Sequence, residues 1–324
     1  MSNSNCHKTQ QMNIFLDNVK LGSQTGPNHF GAKLHKYLLK QGHTVRATGA
    51  GRSDQDKLPD IQLSFIERNT KLNSEIPLVQ RLDGIYFDPT NDYKLQNENI
   101  FKTYEAADGI VFQSEFSKNL VFEHFGEHKN YTIIHNGADL ELINSIEPAK
   151  PATMNGKYDS LWCCASHWRP FKRLEENIRY FLEFSSANDL LIVCGSALYP
   201  ANLIEHERII YTGDVGVPTL LSIFKAADYF VHLGRYDNCP NVVIDARASG
   251  CEIICASVGR TREVAGKGAT IVLEEQWEYN PEPVNKHRPL DFTKIIKNKQ
   301  DSDINMNRVA ERYSDFLTNT IKGL

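Results

Sequence analysis

Short apolar runs alternate along the chain with segments whose apolar positions recur at helical spacing, first from Asn13 to about Ile146 and again from Leu161 onward. In the first series the runs Asn13–Leu16, Thr44–Ala47, Ile61–Ile66, Leu78–Leu82, Gly109–Phe112 and Thr132–His135 read as strands. In the second, strands are predicted at Ser160–Cys164, Leu190–Cys194, Ile209–Tyr211, Tyr229–His232, Glu252–Cys255 and Thr270–Leu273, with helices at Leu174–Ser185, Pro218–Ala226 and Pro240–Ser249. A strand-helix-strand rhythm implies parallel sheets covered by helices on both faces. The polar stretch from Glu147 to Lys157, with Pro148, Pro151 and Gly156, reads as a linker. The fold class expected is therefore α/β, with two Rossmann-like domains at 1–147 and 158–305 and a ligand site beyond the carboxyl ends of the strands, in a cleft between them. Glu274 to Gln300, interrupted by Pro281, Pro283 and Pro289, reads as a surface excursion before a last amphipathic helix at about Asn307–Ile321.

At 324 residues the length suits two domains, and 23% charged with 41% hydrophobic residues is the balance of a globular protein. The 36 Lys and Arg against 40 Asp and Glu leave a formal charge of −4, so no global positive field gathers nucleic acid, and no nucleic-acid partner is expected. The seven cysteines form no CxxC pair and lie mostly in apolar runs, which suits buried thiols in a reducing cytoplasm better than disulfides or a metal site. Leu190–Ile204, the longest uncharged apolar stretch, contains Gly195, Ser196, Pro200 and Asn202 and is too short to span a bilayer. The polar start MSNSNCHKTQQ has no signal-peptide core. A cytoplasmic protein follows, with peripheral membrane contact left open.

Three segments carry candidate chemistry. Gly22-Ser23-Gln24-Thr25-Gly26-Pro27-Asn28-His29 leads into a helix whose apolar positions Phe30, Leu34, Tyr37 and Leu38 share one face. Such a turn favours an anion at the helix start, although GxGxxG is absent and a plain βα turn explains it equally well. Ser166-His167-Trp168-Arg169-Pro170-Phe171-Lys172-Arg173 follows the first strand of the second series and gathers three cations that could hold a diphosphate; a solvated basic turn is the alternative. In Gly234-Arg235-Tyr236-Asp237-Asn238-Cys239-Pro240-Asn241-Val242-Val243-Ile244-Asp245, one carboxylate precedes a Pro-initiated helix and another lies on it, with first-turn amides at Asn241 and Val242. Alone, this segment reads as a helix cap and a solvent-facing aspartate.

Together the three segments resemble the GT-B glycosyltransferases of the retaining family 4 group, which use nucleotide-sugar donors. The family's E-x7-E pattern falls on Asp237-x7-Asp245, followed by Ala246, Gly250 and the strand Glu252–Cys255. Phe112-Gln113-Ser114-Glu115-Phe116-Ser117, Ile134-His135-Asn136-Gly137-Ala138-Asp139 and Gly259-Arg260-Thr261-Arg262-Glu263 add to the match, which runs in order from about Asn13 to Val264. The resemblance implies a retaining transfer of a sugar from a nucleoside diphosphate to a glycan, lipid-linked or other small acceptor, with no cofactor or metal required. It implies that Asp237 lies near the donor sugar and Asp245 accepts hydrogen bonds from the ribose hydroxyls. Lys172 would neutralise the diphosphate, Gly26 would let the loop approach the phosphate, and Glu263 belongs to the same donor-binding set. The family's arginine falls on His167, which leaves Arg169 or Arg173 as the second cation. Asp83, in Gln80-Arg81-Leu82-Asp83-Gly84, takes the place of the family's histidine after the fourth strand. The last helix, 306–324, is expected to return to the first domain.

Asp is shorter than Glu at both acidic positions, and a misplacement of about 1 Å can cost roughly 10²-fold in rate. A nucleotide-sugar-binding homologue with weak or absent catalysis is therefore the competing expectation. A nucleotide-sugar epimerase or a DNA-modifying glycosyltransferase comes third, and the acidic net charge weighs against duplex DNA as acceptor.

Overall fold

The computed structural model describes residues 10–23, 25–49, 57–150, 158–196, 203–237, 239–286 and 288–324. Most of the expected linker and Asn238 lie outside them. The chain divides into two compact units, one comprising the described residues of Met1–Tyr86, Tyr93–Ile134 and Met306–Leu324, the other Phe87–Asp92 and His135–Asn305.

The first unit holds strands β1 (Asn13–Asp17), β2 (Thr44–Ala47), β3 (Ile61–Phe65), β4 (Leu78–Leu82), β5 (Gly109–Phe112) and β6 (Tyr131–Ile133) in the order β2-β1-β3-β4-β5-β6. Every pairing is parallel. Strands β3, β4 and β5 are buried along their whole length, as sheets covered on both faces require. Helices α1 (Gly26–Lys40), α2 (Tyr93–Ala106) and α3 (Glu115–Phe125) connect them. Ser114 caps α3 by accepting the Ser117 amide, 3.0 Å away.

The second unit opens with α4 (Leu140–Ser145) and carries β7 (Leu161–Ala165), β8 (Leu190–Cys194), β9 (Ile209–Gly213), β10 (Tyr229–His232), β11 (Glu252–Ala256), β12 (Thr270–Val272) and β13 (Ile295–Lys297). Their order is β13-β12-β11-β10-β7-β8-β9, parallel except for β13, which runs antiparallel to β12. Helices α5 (Leu174–Phe184), α6 (Val217–Ala226), α7 (Asn241–Ser249) and α8 (Thr261–Val264) lie between strands. The antiparallel edge strand falls inside the stretch expected to be an irregular excursion: its prolines end before Ile295, so the chain regains its amides in time to pair. Both units are Rossmann-like α/β domains.

Residues 135–150 pack with the second sheet, so the chain changes units before the boundary near 147 that the polar stretch suggested. Apolar burial is the reason: Ala138 and Ile143 enter the second core beside Leu221, Phe224, Val243 and Ile244. The Lys225 ammonium also donates to the Ile143 and Ile146 carbonyls at 3.2 and 2.5 Å. The last helix, α9 (Met306–Lys322), belongs to the first unit, burying Met306, Val309, Ala310, Tyr313 and Leu317 among Phe30, Leu34 and Leu38. At roughly 1.5–3 kcal/mol per large apolar side chain, that face outweighs the helix's own marginal propensity. His43 adds a polar tie, its Nδ1 accepting the Met12 amide at 3.2 Å and its Nε2–H facing Ser314 Oγ at 2.9 Å, while burial lowers its pKa and keeps it neutral. No helix among the described residues is long and apolar enough to cross a membrane.

Candidate functional site

In the second sheet the chain steps from β7 through β8 to β9 on one side and then crosses back to add β10 to β13 on the other, so the strand order reverses at β7. Such a reversal marks the carboxyl ends of β7 and β10 as the place where doubly wound sheets bind ligands. Two of the three candidate segments emerge there. The chain leaving β7 closes a single 3₁₀ turn at Pro170–Lys172, and the chain leaving β10 runs through Gly234 to Asp237.

Lys172 Nζ forms an ion pair with Asp237 Oδ2, and the same oxygen lies 2.7 Å from His232 Nε2 at the end of β10. An ionised carboxylate only accepts, so the imidazole carries its proton on Nε2 and donates it. Asp237 and His232 are buried and Lys172 is mostly so, with side-chain exposures of 8%, 2% and 17%. Burial by itself raises the Asp237 pKa, but the charge of Lys172 and the His232 hydrogen bond outweigh it and hold the carboxyl well below the usual range. The backbone is shaped around this pair. A Cβ on Gly234 would meet His232 Nε2 at 3.3 Å and Lys172 Cδ at 3.5 Å, and one on Gly259 would meet the Asp237 nitrogen at 3.2 Å.

A pH prediction follows from the direction of the Asp237 shift. A carboxyl whose native pKa lies below its unfolded value of about 3.9 adds stability above that pH and loses it as the pH falls toward the native value, by at most about 1.4 kcal/mol per pH unit. Urea unfolding of the wild type is thus expected to weaken more steeply below pH 4 than that of Asp237→Asn. Parallel acid limbs would contradict the pairing.

The remaining candidates have different surroundings. Arg173 is buried and makes a bidentate pair with Glu274 at 2.8 and 3.2 Å, while its Nη1 also donates to the Leu233 carbonyl. It is committed to Glu274 and is not brought to the pair, because Glu274 is an acidic partner far away in sequence. Arg169 is exposed at the head of the 3₁₀ turn. His167 is exposed too, 3.9 Å from Asp214, whose carboxylate accepts the Ser196 amide and hydroxyl at 3.0 and 2.6 Å. Asp245 is buried on α7. Asn241 and Val242 form the first turn of that helix, and Asn241 Oδ1 accepts from Asn136 Nδ2 at 3.0 Å. Glu263 pairs with His135 at 3.1 Å.

In the first unit Gly26 begins α1, and the loop before it is pinned by Asn28, which accepts the Lys20 amide at 2.8 Å and donates to Thr25 Oγ1 at 2.8 Å. Asp83 is held by the Arg81 guanidinium and the Gln113 amide. Arg81 is fully buried between the rings of Phe30 and Phe65, at 4.4 and 4.7 Å from their centroids, and its Nε donates to the Tyr313 hydroxyl at 3.2 Å. Asp83 is thus the counter-ion of a buried arginine. Among the described residues no group of three or more His, Cys, Asp or Glu is arranged to hold a metal ion.

His232 is not among the candidates read from the sequence, where it stands only as the last residue of a predicted strand. Its one signal was position, at the carboxyl end of a predicted strand and five residues before Asp237.

Comparison with known proteins bears on the same region. Residues 160–279 match the family model described as glycosyl transferases group 1. An uncharacterized glycosyltransferase from Methanocaldococcus jannaschii is 23% identical over 232 residues, covering 68% of this chain, which spans only 55% of that relative's length. Among solved structures, the catalytic domain of starch synthase IV from Arabidopsis thaliana, bound to ADP and acarbose, superposes with a TM-score of 0.67 at 10% identity over 97% of this chain and 100% of that one. Anabaena HepE in complex with UDP-glucose gives 0.59 at 15% identity, over 97% and 100%. Sucrose-phosphate synthase from Thermosynechococcus elongatus gives 0.61 at 13% identity, over 97% and 95%. These likenesses identify the fold as GT-B.

Proposed function

We propose that this chain, which carries a glycosyltransferase group 1 domain, moves a sugar from a nucleoside-diphosphate donor to a glycan, lipid-linked or other small acceptor with retention at the anomeric carbon. The second unit is read as the donor domain and the first as the acceptor domain. One observation carries this reading: Lys172 and Asp237, from different loops, meet as a buried ion pair at the switch point of the matched domain. When the bond between the anomeric carbon and the donor oxygen breaks, negative charge grows on the departing diphosphate. An ammonium fixed beside it stabilises that charge more than it stabilises the ground state. Lys172 supplies the ammonium, and Asp237, held ionised, keeps it aimed. Lys carries three donors, so one can stay on Asp237 while others reach phosphate oxygens. Arg169, exposed immediately before the 3₁₀ turn, is the cation left for the second phosphate now that Arg173 serves Glu274. Asp245 is assigned to the ribose hydroxyls, and Asn241 and Val242 to the phosphate side of the α7 start.

The neighbours bound to UDP-glucose and to ADP make uridine and adenosine diphosphate sugars the first donors to try. The test is donor hydrolysis and transfer across UDP-, ADP- and GDP-sugars, with the product's anomeric configuration read by NMR. Transfer with retention is expected, and Asp245→Ala is expected to raise the donor KM about tenfold through the lost ribose contact. An inverted product would contradict the retaining mechanism, and an unchanged donor KM would remove Asp245 from the site. A second reading, donor binding without turnover, is favoured by the engagement of Lys172 with a shortened acidic residue. Tight donor binding with no product from any acceptor would select it.

A further inference from the structure

Both members of the central pair are flanked by strained backbone. Arg173, immediately after Lys172, has φ 55°, and Tyr236, immediately before Asp237, has φ 56°. A non-glycine residue in the left-handed region is strained and persists where its surroundings over-determine it. Here both residues are gripped by the same segment, 274–282, which leaves the sheet after β12. Glu274 makes the bidentate pair with Arg173 and lies 4.0 Å from Arg235 Nε. Glu282 accepts from the Tyr236 hydroxyl and, at 3.1 Å, from Arg235 Nη2. Between them Trp277 sets its indole edge-on to the Tyr236 ring, with centroids 4.8 Å apart and planes at 65°. Phe87 closes the group, 4.4 Å from Trp277 and 5.3 Å from Tyr236. Behind the loop the Tyr236 backbone packs close to Gly259, where a Cβ would lie 3.3 Å from the Tyr236 nitrogen.

We propose that residues 274–282 are a positioning strap, in which Glu274 and Glu282, acting through the left-handed residues Arg173 and Tyr236, hold Lys172 and Asp237 in their paired geometry. The proposal takes its catalytic consequence from the function given above, whereas its structural content stands apart from it. Without the grip of Glu282, Tyr236 relaxes to negative φ, the following peptide rotates, and the Asp237 carboxylate leaves Lys172 and His232. Glycine at position 236 adopts the left-handed conformation without steric cost. The strap's hold on Tyr236 is then dispensable.

The experiment follows the imidazole N–H proton of His232 by NMR in protein labelled with ¹⁵N-histidine, alongside transfer assays. In the wild type this buried proton, donated to Asp237, is expected to exchange slowly with water. Glu282→Gln, and the milder Tyr236→Phe that removes only the hydroxyl, are expected to speed its exchange at least tenfold and to lower kcat by about ten- to hundredfold. Adding Tyr236→Gly to Glu282→Gln is expected to restore slow exchange. Unchanged exchange in Tyr236→Phe overturns the proposal even if Glu282→Gln fails to fold, and so does equally fast exchange with and without Tyr236→Gly. The expected exchange pattern in a protein that shows no turnover with any donor supports the strap and counts against the proposed function alone.

Discussion

Replacing Lys172 with alanine is expected to lower kcat for sugar transfer by about 10²–10³-fold, the range found when one preorganised donor to a developing negative charge is removed. The substitution has a second consequence. Asp237 keeps only His232, and a buried carboxylate deprived of its cation costs about 3–5 kcal/mol of stability. The two effects separate in a double variant. Lys172→Met with Asp237→Asn removes both charges while preserving shape, so its stability is expected to recover toward the wild type, because replacing both members of a buried pair is often near neutral. Its turnover is expected to stay low, since the charge proposed to face the diphosphate is still missing. Recovery of turnover together with stability would mean that Lys172 is a folding residue. Urea unfolding and steady-state transfer on the same three proteins make the comparison.

Gly195→Ala is expected to be the most damaging single methyl group in the second unit. Gly195 follows β8 with φ 96°, and a Cβ there would stand 1.9 Å from the Ser166 carbonyl oxygen and 2.9 Å from its carbon. Both contacts are backbone, so no side chain can move aside. A left-handed alanine costs roughly 1–2 kcal/mol and overpacking about 1–3 kcal/mol more, giving a loss of about 2–5 kcal/mol in denaturant unfolding. The displacement also falls on the stretch that leads to Lys172. The Ser166 amide bonds the Cys194 carbonyl at 3.3 Å, and the Trp168 amide and indole bond Ser196 and Cys194 at 3.0 Å each. Activity is therefore expected to drop beyond what the unfolded fraction explains. By contrast Gly250→Ala, at φ 106° but with open space around its Cβ position, isolates the conformational cost and is expected to lose about 1–2 kcal/mol.

The elements that place the site were written in local pattern. The strands β7, β8 and β10 are buried apolar runs bounded by turn residues, and α7 is announced by Pro240 and closed by Gly250 in the left-handed conformation. Lys172 and Asp237 stood out because each follows such a strand. What stayed hidden depends on partners far apart in the chain. Arg173 looked like a cation for a phosphate until Glu274 took it, and Arg81 turned Asp83 into a counter-ion only because Phe30, Phe65 and Tyr313 bury the guanidinium. Neither outcome has a periodicity. The segment 274–282 read as an irregular excursion for the same reason: its order comes from side-chain pairing with Arg173, Arg235 and Tyr236. His232 lay within the apolar rhythm of β10, so nothing in its spacing separated a hydrogen-bonding histidine from a core one.

Calorimetric titration of UDP, ADP and GDP into the wild type and into Lys172→Met tests the central claim most directly, because it asks whether the diphosphate sits on this lysine without requiring the right acceptor. Binding of at least one nucleotide, weakened about tenfold or more in the variant while the protein remains folded, is the predicted result. Equal affinity in the two proteins, or no binding of any of the three by the folded wild type, would contradict it.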